Sequence, residues 1–461
     1  MFVIETAPGV RILQLLPTLH SHSLVICRQV SDIGTHKRAL QATMAPLKIA
    51  ISGGGIASLC LAHSLTTSHP QWEVKIFEAA PELREEGAAI GLGMNAQEAL
   101  KLMSPSLREA LDEAGGTRMD PSVRIMIGTG PDSGRHVGDI RPKVAQIVVH
   151  RTSFWRQLRK RIPDGVLEFG KKLASVEALH GSDDRVRLRF EDGTTYEADA
   201  LVGCDGINSI VRQAVLGEDH PAAKPVFTNG YNHRVVIPLE AAKKAFGEDY
   251  CSLRTQYGWV GAGGFLLTDH VEKGEAMQVI AGRSDAGPWP HRSPFVEWDK
   301  DRLKSDLADW GDIGKAMKKV FTEQPKLFAA GGRIHLETPT YCKGNMCIAG
   351  DAAQSFPPFQ GAGAGQAIED ALMLSTVLGS CSRKEDISRT FGVYDTLRRP
   401  RRSGIAESSI WAAKLFTGRL PDVGMDVGRM AEKLPTWGSN IYDYDLAAAQ
   451  QDALARMKSD S

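Results

Sequence analysis

The chain has 461 residues, with 55 basic against 55 acidic side chains, 42% apolar residues and 24% charged ones. That length suggests about three domain-sized units, and the composition is that of an ordinary globular protein. It excludes a disordered chain, a collagen-like repeat, a disulfide-dense secreted scaffold and nucleic-acid binding driven by bulk charge.

The 46 glycines are about one residue in ten against a usual share of about 7%, and they fall in clusters. The seven cysteines are scattered, with no CxxC pair and no Cys/His spacing that suits zinc. They read as reduced thiols in a cytoplasmic setting, and no metal site is expected. No apolar run of about 18 residues occurs. The final stretch is polar, so neither stable membrane insertion nor a tail anchor is expected. Residues 1–45 read as an N-terminal extension, disordered or outside the mature chain. Glu5 and Pro17 spoil a signal peptide, and Met44 stands directly before the first convincing strand. Within residues 1–43, Arg11, Arg28, Lys37 and Arg38 outnumber Glu5 and Asp32, which leaves mitochondrial targeting as the alternative.

The fold begins at Lys48. Lys48–Ser52 is a short apolar run that reads as a buried strand. Gly53-Gly54-Gly55 follows, and Leu59, Leu61, Ala62 and Leu65 then recur at helical spacing. Residues 73–78 read as a second strand ending in Glu78. Strand, glycine turn, helix and strand within about thirty residues follow the logic of dinucleotide binding. Gly53 permits the tight turn and Gly55 lets the backbone approach a pyrophosphate. Ser58 replaces the third glycine, where small size serves helix–strand packing. Glu78 can accept hydrogen bonds from a ribose diol. Such a fingerprint serves NAD and FAD alike.

Two further motifs follow in order. Residues 199–212 read as a strand running into Asp205-Gly206 and a helix capped by Asn208 or Ser209. Residues 226–237 read as a strand carrying Tyr231, His233 and Arg234. Residues 344–353 read as a strand ending in Gly350-Asp351. A proline–glycine loop (Pro357, Pro358, Gly361) then feeds a helix that starts near Gly363-Ala364-Gly365. Glycine and alanine there let a ligand approach bare N–H groups at a helix N-terminus. The basic run Arg398, Arg399, Arg401 and Arg402 reads as a solvated helix face and not as a nucleic-acid patch. Residues 403–461 read as helical and peripheral, with breaks at Pro421 and Pro435.

The ordered set of three motifs resembles the single-component FAD-dependent aromatic hydroxylases, flavoprotein monooxygenases, and most of all their salicylate hydroxylase-like branch. The resemblance runs from about Lys48 to about Ile410. It implies an α/β fold: a Rossmann-like FAD-binding domain with the βαβ unit and a GxGxxG variant, an inserted sheet-based substrate domain, and C-terminal helices. The FAD-binding domain is expected at 46–125, 145–215 and 335–400. The substrate domain is expected at 216–334 with 126–144, and the helical region at 401–461. The resemblance implies that Glu78, Gly91, Arg151, Asp351 and Ala364 contact FAD, beside Gly53, Gly55, Ser58 and Gly363. The Asp205 motif is associated with both FAD and NAD(P)H. Ser58, Cys204 and Gln354 depart from the family pattern, and Gln354 removes any role for a histidine there.

The implied activity uses NAD(P)H and O2 to hydroxylate an electron-rich phenolic, salicylate-like or polyketide aromatic through a flavin C4a-hydroperoxide. In the resembling branch, an arginine at the Arg234 position lies near flavin and substrate. Arg234 is therefore read as the group that holds a substrate phenolate or carboxylate, with Tyr231 a weaker catalytic candidate. The expected partners are the aromatic substrate, O2 and NAD(P)H, with no nucleic acid, in a monomer or homodimer. Two alternatives stand beside this: an FAD-dependent epoxidase or reductase acting on an isoprenoid, and a non-enzymatic flavin-binding regulator. A halogenase is disfavoured, because no tryptophan here sits in the Trp-x-Trp-x-Ile-Pro motif that those enzymes share.

Overall fold

The structure, a computed structural model, describes residues 46–83, 89–179, 184–284, 286–381 and 383–459. The N-terminal extension expected at 1–45, with its targeting alternative, lies outside these residues. In chain order, β1 (Lys48–Ser52), α1 (Ile56–Ser68) and β2 (Glu73–Phe77) form the βαβ unit. Next come β3 (Ala89–Leu92), α2 (Met94–Met103), β4 (Val123–Ile127), β5 (His136–Ile140), β6 (Ile147–His150), α3 (Arg151–Arg159) and β7 (Leu167–Glu168). A separate antiparallel sheet spans 173–198. β8 (Ala200–Gly203) and α4 (Ile210–Leu216) follow, then β9 (Val226–Pro238), β10 (Gln256–Gly261), β11 (Gly264–Val271), β12 (Ala276–Arg283), β13 (Phe295–Glu297) and β14 (Phe328–Ile334). The chain continues through β15 (Cys342–Lys343), β16 (Met346–Ile348), α5 (Gly363–Leu378), α6 (Ile387–Phe416) and shorter helices.

The first large sheet has the order β15-β16-β8-β1-β2-β7, parallel throughout except for the β15–β16 hairpin. Ile49, Ala50 and Ile51 have no exposed surface, as a strand covered on both faces requires. β1, β8 and β16 run the same way. The turns at Gly53, Asp205 and Gly350 therefore gather beyond one carboxyl edge, the usual place for a ligand in such a sheet.

The second sheet has the order β13-β14-β9-β12-β11-β10-β4-β5, and only the β10–β4 pair is parallel. One face carries Tyr231, Trp259, Leu266 and Val279 and packs on Met317 and Phe321. Side chains alternate across a strand, and the other face therefore carries Arg234, Leu267, Asp269, Gln278 and Ile280. That face looks toward β3: the Ala89 N–H donates to Gln278 Oε1 at 2.9 Å.

Three expectations need correction. The boundary expected at 125–126 falls inside β4, and the one at 400–401 falls inside α6. The C-terminal region is helical but not peripheral. Leu415, Phe416, Met430 and Trp437 pack on Val123, Ile125 and Val260 of the second sheet. Finally, the basic run is not a solvated face. Arg398 and Arg402 are fully buried and Arg401 nearly so.

Those arginines face two buried carboxylates on α5. Arg398 donates from Nη1 to Glu369 Oε2 (2.6 Å) and from Nε to Asp370 Oδ1 (2.8 Å). Arg402 donates to Asp370 Oδ2 at 2.8 Å, and the Gly350 N–H reaches the same oxygen at 2.8 Å. Asn95 and Gln366 each donate to Glu369 Oε1 at 2.7 Å. Every carboxylate oxygen has a donor, which is what makes burial of charge tolerable. Burial pushes the Glu369 carboxyl up, but Arg398 and Arg401 hold it below its usual range. Its contribution to stability is thus present above the unfolded carboxylate's titration, about pH 4.3, and is lost as pH falls through the lower folded value. Arg398→Ala should destabilise the fold by about 3–5 kcal/mol, since it removes the shared counter-charge of two buried carboxylates and leaves Asp370 Oδ1 without a donor. Arg398→Lys should recover little, because one ammonium cannot serve both carboxylates in fork geometry. Urea unfolding at neutral pH checks both, and an unchanged midpoint in either variant would refute the role.

Candidate active site

The glycine turn is built for close approach. Gly53 has φ +92°, and a Cβ there would lie 2.5 Å from the Cys204 carbonyl oxygen. Glycine at this position lets the loop after β8 close on β1. Gly55 faces open space and ends α1 without a side-chain cap, leaving N–H groups free for a phosphate. Ser58 is fully buried and its hydroxyl donates to the Gly53 carbonyl. It fastens the turn to the helix and does not face the nucleotide, a correction to its expected contact role. Glu78 accepts from the Gly54 N–H (2.6 Å) and the Ala80 N–H (2.8 Å), one oxygen each. Each oxygen keeps a lone pair. These residues open on a cavity of about 590 Å³ whose lining includes Gly54, Gly55, Glu78, Arg151, Trp155 and Lys172. Trp155 is fixed by a 2.6 Å bond from its ring N–H to the Gly54 carbonyl.

The Gly350-Asp351 turn is held by buried arginines. Arg402 Nη2 donates to the carbonyls of Gly350 (2.8 Å) and Gln354 (2.5 Å). Arg212, fully buried on α4, donates to the carbonyls of Ala352 (2.9 Å) and Ala353 (2.5 Å) and to Thr338 Oγ1 (2.7 Å). Burial pulls the Arg212 guanidinium down to about 10. His335 accepts from the Ser355 N–H at 3.1 Å through Nδ1, and its Nε2 lies 3.1 Å from the Ile207 carbonyl. Its proton therefore sits on Nε2, and the ring joins the second motif to the third. Burial beside Arg212 pulls its titration down to about 4, so it stays neutral.

With its backbone fixed, the Asp351 side chain makes no hydrogen bond among the described residues and is exposed. Crowding by the walls pushes its carboxyl up, while Arg402 and Arg151 pull the other way. Asp205 Oδ2 caps α4 by accepting from Ile210 N–H (2.8 Å) and Val211 N–H (3.2 Å). Its Oδ1 is buried without a partner, and burial pushes its carboxyl up. A buried acceptor of that kind costs free energy until a ligand hydroxyl or N–H meets it. α5 starts at Gly363 with no side-chain cap, open space beside Gly363, and Ala364 half-buried. Gly91 is half-buried on β3, and a Cβ there would lie 2.7 Å from Gln146 Nε2. Packing on Gln146 is thus the reason for glycine at that site. The residues present fit FAD: open helix ends for its phosphates and pyrimidine edge, an orphaned acceptor, and free carboxylates for its hydroxyls.

Arg234 and Tyr231 are not brought together. Three residues apart on one strand, they point to opposite faces. The Tyr231 hydroxyl donates to Asp306 Oδ2 at 2.5 Å, and its ring lies 4.6 Å from that of Trp298. It belongs to the core on the far side of the sheet, which corrects its placing at the reaction centre. Arg234 is exposed, makes no hydrogen bond among the described residues, and feels the charges of Asp269 and Arg151. Burial pulls its guanidinium below the usual range. Sequence reasoning missed Arg212, His335 and Asp269. Arg212 stands seven residues after Asp205, but no periodicity marks an arginine as buried. Among the described residues no cluster suits a metal ion and no helix is long and apolar enough to cross a membrane.

Known proteins share this arrangement. The FAD binding domain family matches residues 321–409. The 6-methylsalicylate 1-monooxygenase of Aspergillus terreus is 35% identical over 421 residues, spanning 88% of this chain and 92% of its own. A salicylate hydroxylase of Pseudomonas putida is 33% identical over 428 residues, spanning 89% and 95%. A solved structure of a salicylate hydroxylase substrate complex superposes with a TM-score of 0.76 at 30% identity, covering 88% of this chain and 98% of that one. With these relatives, the chain belongs to the FAD-dependent aromatic monooxygenases of the salicylate hydroxylase type.

Proposed function

We propose that this enzyme uses NAD(P)H and O2 to add one oxygen atom to a phenol that also carries a carboxylate, a salicylate-like acid. The observation that carries the reading is Arg234: an exposed cation with no hydrogen-bond partner among the described residues, on the sheet face whose Gln278 meets β3. Such a cation gains a charge-assisted hydrogen bond when an anion arrives. An isoprenoid would leave it unpaired.

FAD, when bound, supplies hydride acceptance and oxygen activation. The chain's own residues do the rest. The open turn at Gly53–Gly55 and Glu78 take the adenosine end, and Asp351 and Asp205 take hydroxyl or N–H groups farther along. The bare N-terminus of α5 at Gly363-Ala364 offers partial positive charge to a developing anion. Arg151, at the first turn of α3, lies within electrostatic range of both Asp351 and Arg234. It spans the gap between cofactor and substrate walls. Phe359 of the proline loop meets Phe265 of the second sheet, ring centres 5.8 Å apart, and helps keep water out.

On this reading, the parts around the first sheet (46–122, 145–215 and 335–416) bind FAD, and those around the second sheet (123–144 and 216–334) form the substrate side. Described cysteines are free, several of them buried, which suits a cytoplasmic setting.

Two outcomes test the proposal. Arg234→Gln should raise KM for salicylate by about 10- to 100-fold, the loss expected for a charge-assisted hydrogen bond. It should change KM for salicylamide by less than about 3-fold. Equal effects on both would overturn the anion role. Asp351→Ala should weaken FAD retention by about 10-fold or more, one lost charged acceptor, read by flavin fluorescence titration. Full retention would remove Asp351 from the cofactor site.

A further inference from the structure

Asp269 lies on β11 with its carboxylate on the same sheet face as Arg234, and it is 2% exposed. The register puts it directly opposite Gln278 on β12, while Arg234 on β9 is opposite Ile280 two residues along. Gln256 Nε2 donates to Oδ2 at 2.8 Å, and Gln278 Nε2 donates to Oδ1 at 3.1 Å. The Ala89 N–H occupies Gln278 Oε1, so that amide must turn its N–H toward Asp269. Otherwise the surroundings are apolar: Met119, Val148, Val271 and Ala276, with Ala89 and Val236 against them. No cation bonds Asp269 directly. The charged or titratable groups on the strands and helix packed around it are Arg234, His150 at the end of β6, and Arg151 after it. The turn after β11 holds Glu272, Lys273 and Glu275, all exposed. Asp269 is therefore a rigid, buried carboxyl with amide neighbours and one exposed cation, Arg234, in electrostatic range.

We propose that Asp269 is a positioning residue for the charge of Arg234: it balances that cation in the empty cleft, and a substrate carboxylate that binds Arg234 drives a proton onto Asp269. The inference rests on the reading of Arg234 as the anion holder. The proton comes from solvent and forms one O–H bond on Asp269; no electrons move. Burial already pushes the Asp269 carboxyl up to about 6, against its amide donors and Arg234. A second negative charge at Arg234 cancels the cation's pull and adds repulsion, so the carboxyl rises further. By linkage, proton uptake on binding means tighter binding when the proton is already present. Affinity for an anionic aromatic should therefore rise as pH falls toward about 6 and level off below that value. A neutral aromatic should show no such slope.

The test uses the FAD-loaded enzyme and titration calorimetry at pH 7 in two buffers of different ionisation enthalpy, with salicylate and salicylamide as probes. Salicylate should bind with uptake of a substantial fraction of a proton, and salicylamide with none. Asp269→Asn should abolish the uptake, bind salicylate about 3- to 10-fold more tightly at pH 7.5, and flatten the pH dependence. His150→Gln should keep the uptake. Uptake that survives in Asp269→Asn, or vanishes in His150→Gln, overturns the assignment. Should Asp269→Asn not fold, the wild-type comparison still decides: equal proton uptake for salicylate and salicylamide overturns the proposal. Arg234→Gln separates the two claims. If it leaves salicylate affinity unchanged, the anion reading of Arg234 falls. If it weakens salicylate while the wild type takes up no proton, only the Asp269 proposal falls.

Discussion

Everything at the cleft depends on one buried set of charges, the contacts of Arg398 and Arg402 with Glu369 and Asp370. Three parts of the chain meet there: α5, α6 and the turn at Gly350. Asp370 binds both arginines and the Gly350 N–H, so the N-terminal half of α5 cannot shift relative to the turn that carries Asp351. Asn95 adds α2 to the same set through Glu369. Buried ion pairs contribute little net stability compared with an apolar core of the same shape. What this one contributes is placement. The N-terminus of α5 and the turn that carries Asp351 are held in one frame. Geometry of that kind is what a preorganised site requires.

The same economy governs the rest of the pocket. Arg212 and Arg402 spend their donors on backbone carbonyls of 350–354, so Asp351 is left with no internal partner. His335, held neutral, joins Ile207 to Ser355. Asp351, the Oδ1 of Asp205, Arg234 and the open end of α5 keep hydrogen-bonding capacity unspent. The groups that fix the Gly350 turn behind Asp351 are bonded to it through Arg212 and Arg402. On the second sheet, Asp269 follows the same pattern, since one of its amide partners, Gln278, is fixed by β3.

Much of this was legible in the sequence wherever backbone geometry restricts residue choice. Gly53 had to be glycine because of its positive φ and the Cys204 carbonyl, and the strand pattern around it located the βαβ unit. Glu78, Asp205 and Asp351 each follow a strand by one to three residues, where a turn sets a carboxylate at the sheet edge. The readings that failed share a cause. Composition treats charge as surface, yet Arg398, Arg401 and Arg402 are buried because their partners, 28 to 32 residues away on α5, are invisible to a local window. Tyr231 looked active because it stands near Arg234, but a spacing of three on a strand sends the two side chains apart. The C-terminal helices looked peripheral because no motif marks Phe416 or Trp437. Only the tertiary fold shows the face of β4 and β10 that they cover.

The most direct test of the central claim is a single sequence of measurements on purified protein. A visible spectrum is recorded after adding FAD and removing the excess. NAD(P)H oxidation is then followed with salicylate-type acids and with neutral phenols under isotopically labelled O2. The account predicts a bound-flavin spectrum, faster NAD(P)H consumption with the carboxylated phenols, and one labelled oxygen atom in the aromatic product. A folded protein that retains no flavin, or NAD(P)H oxidation indifferent to every phenol with no labelled product, would contradict it.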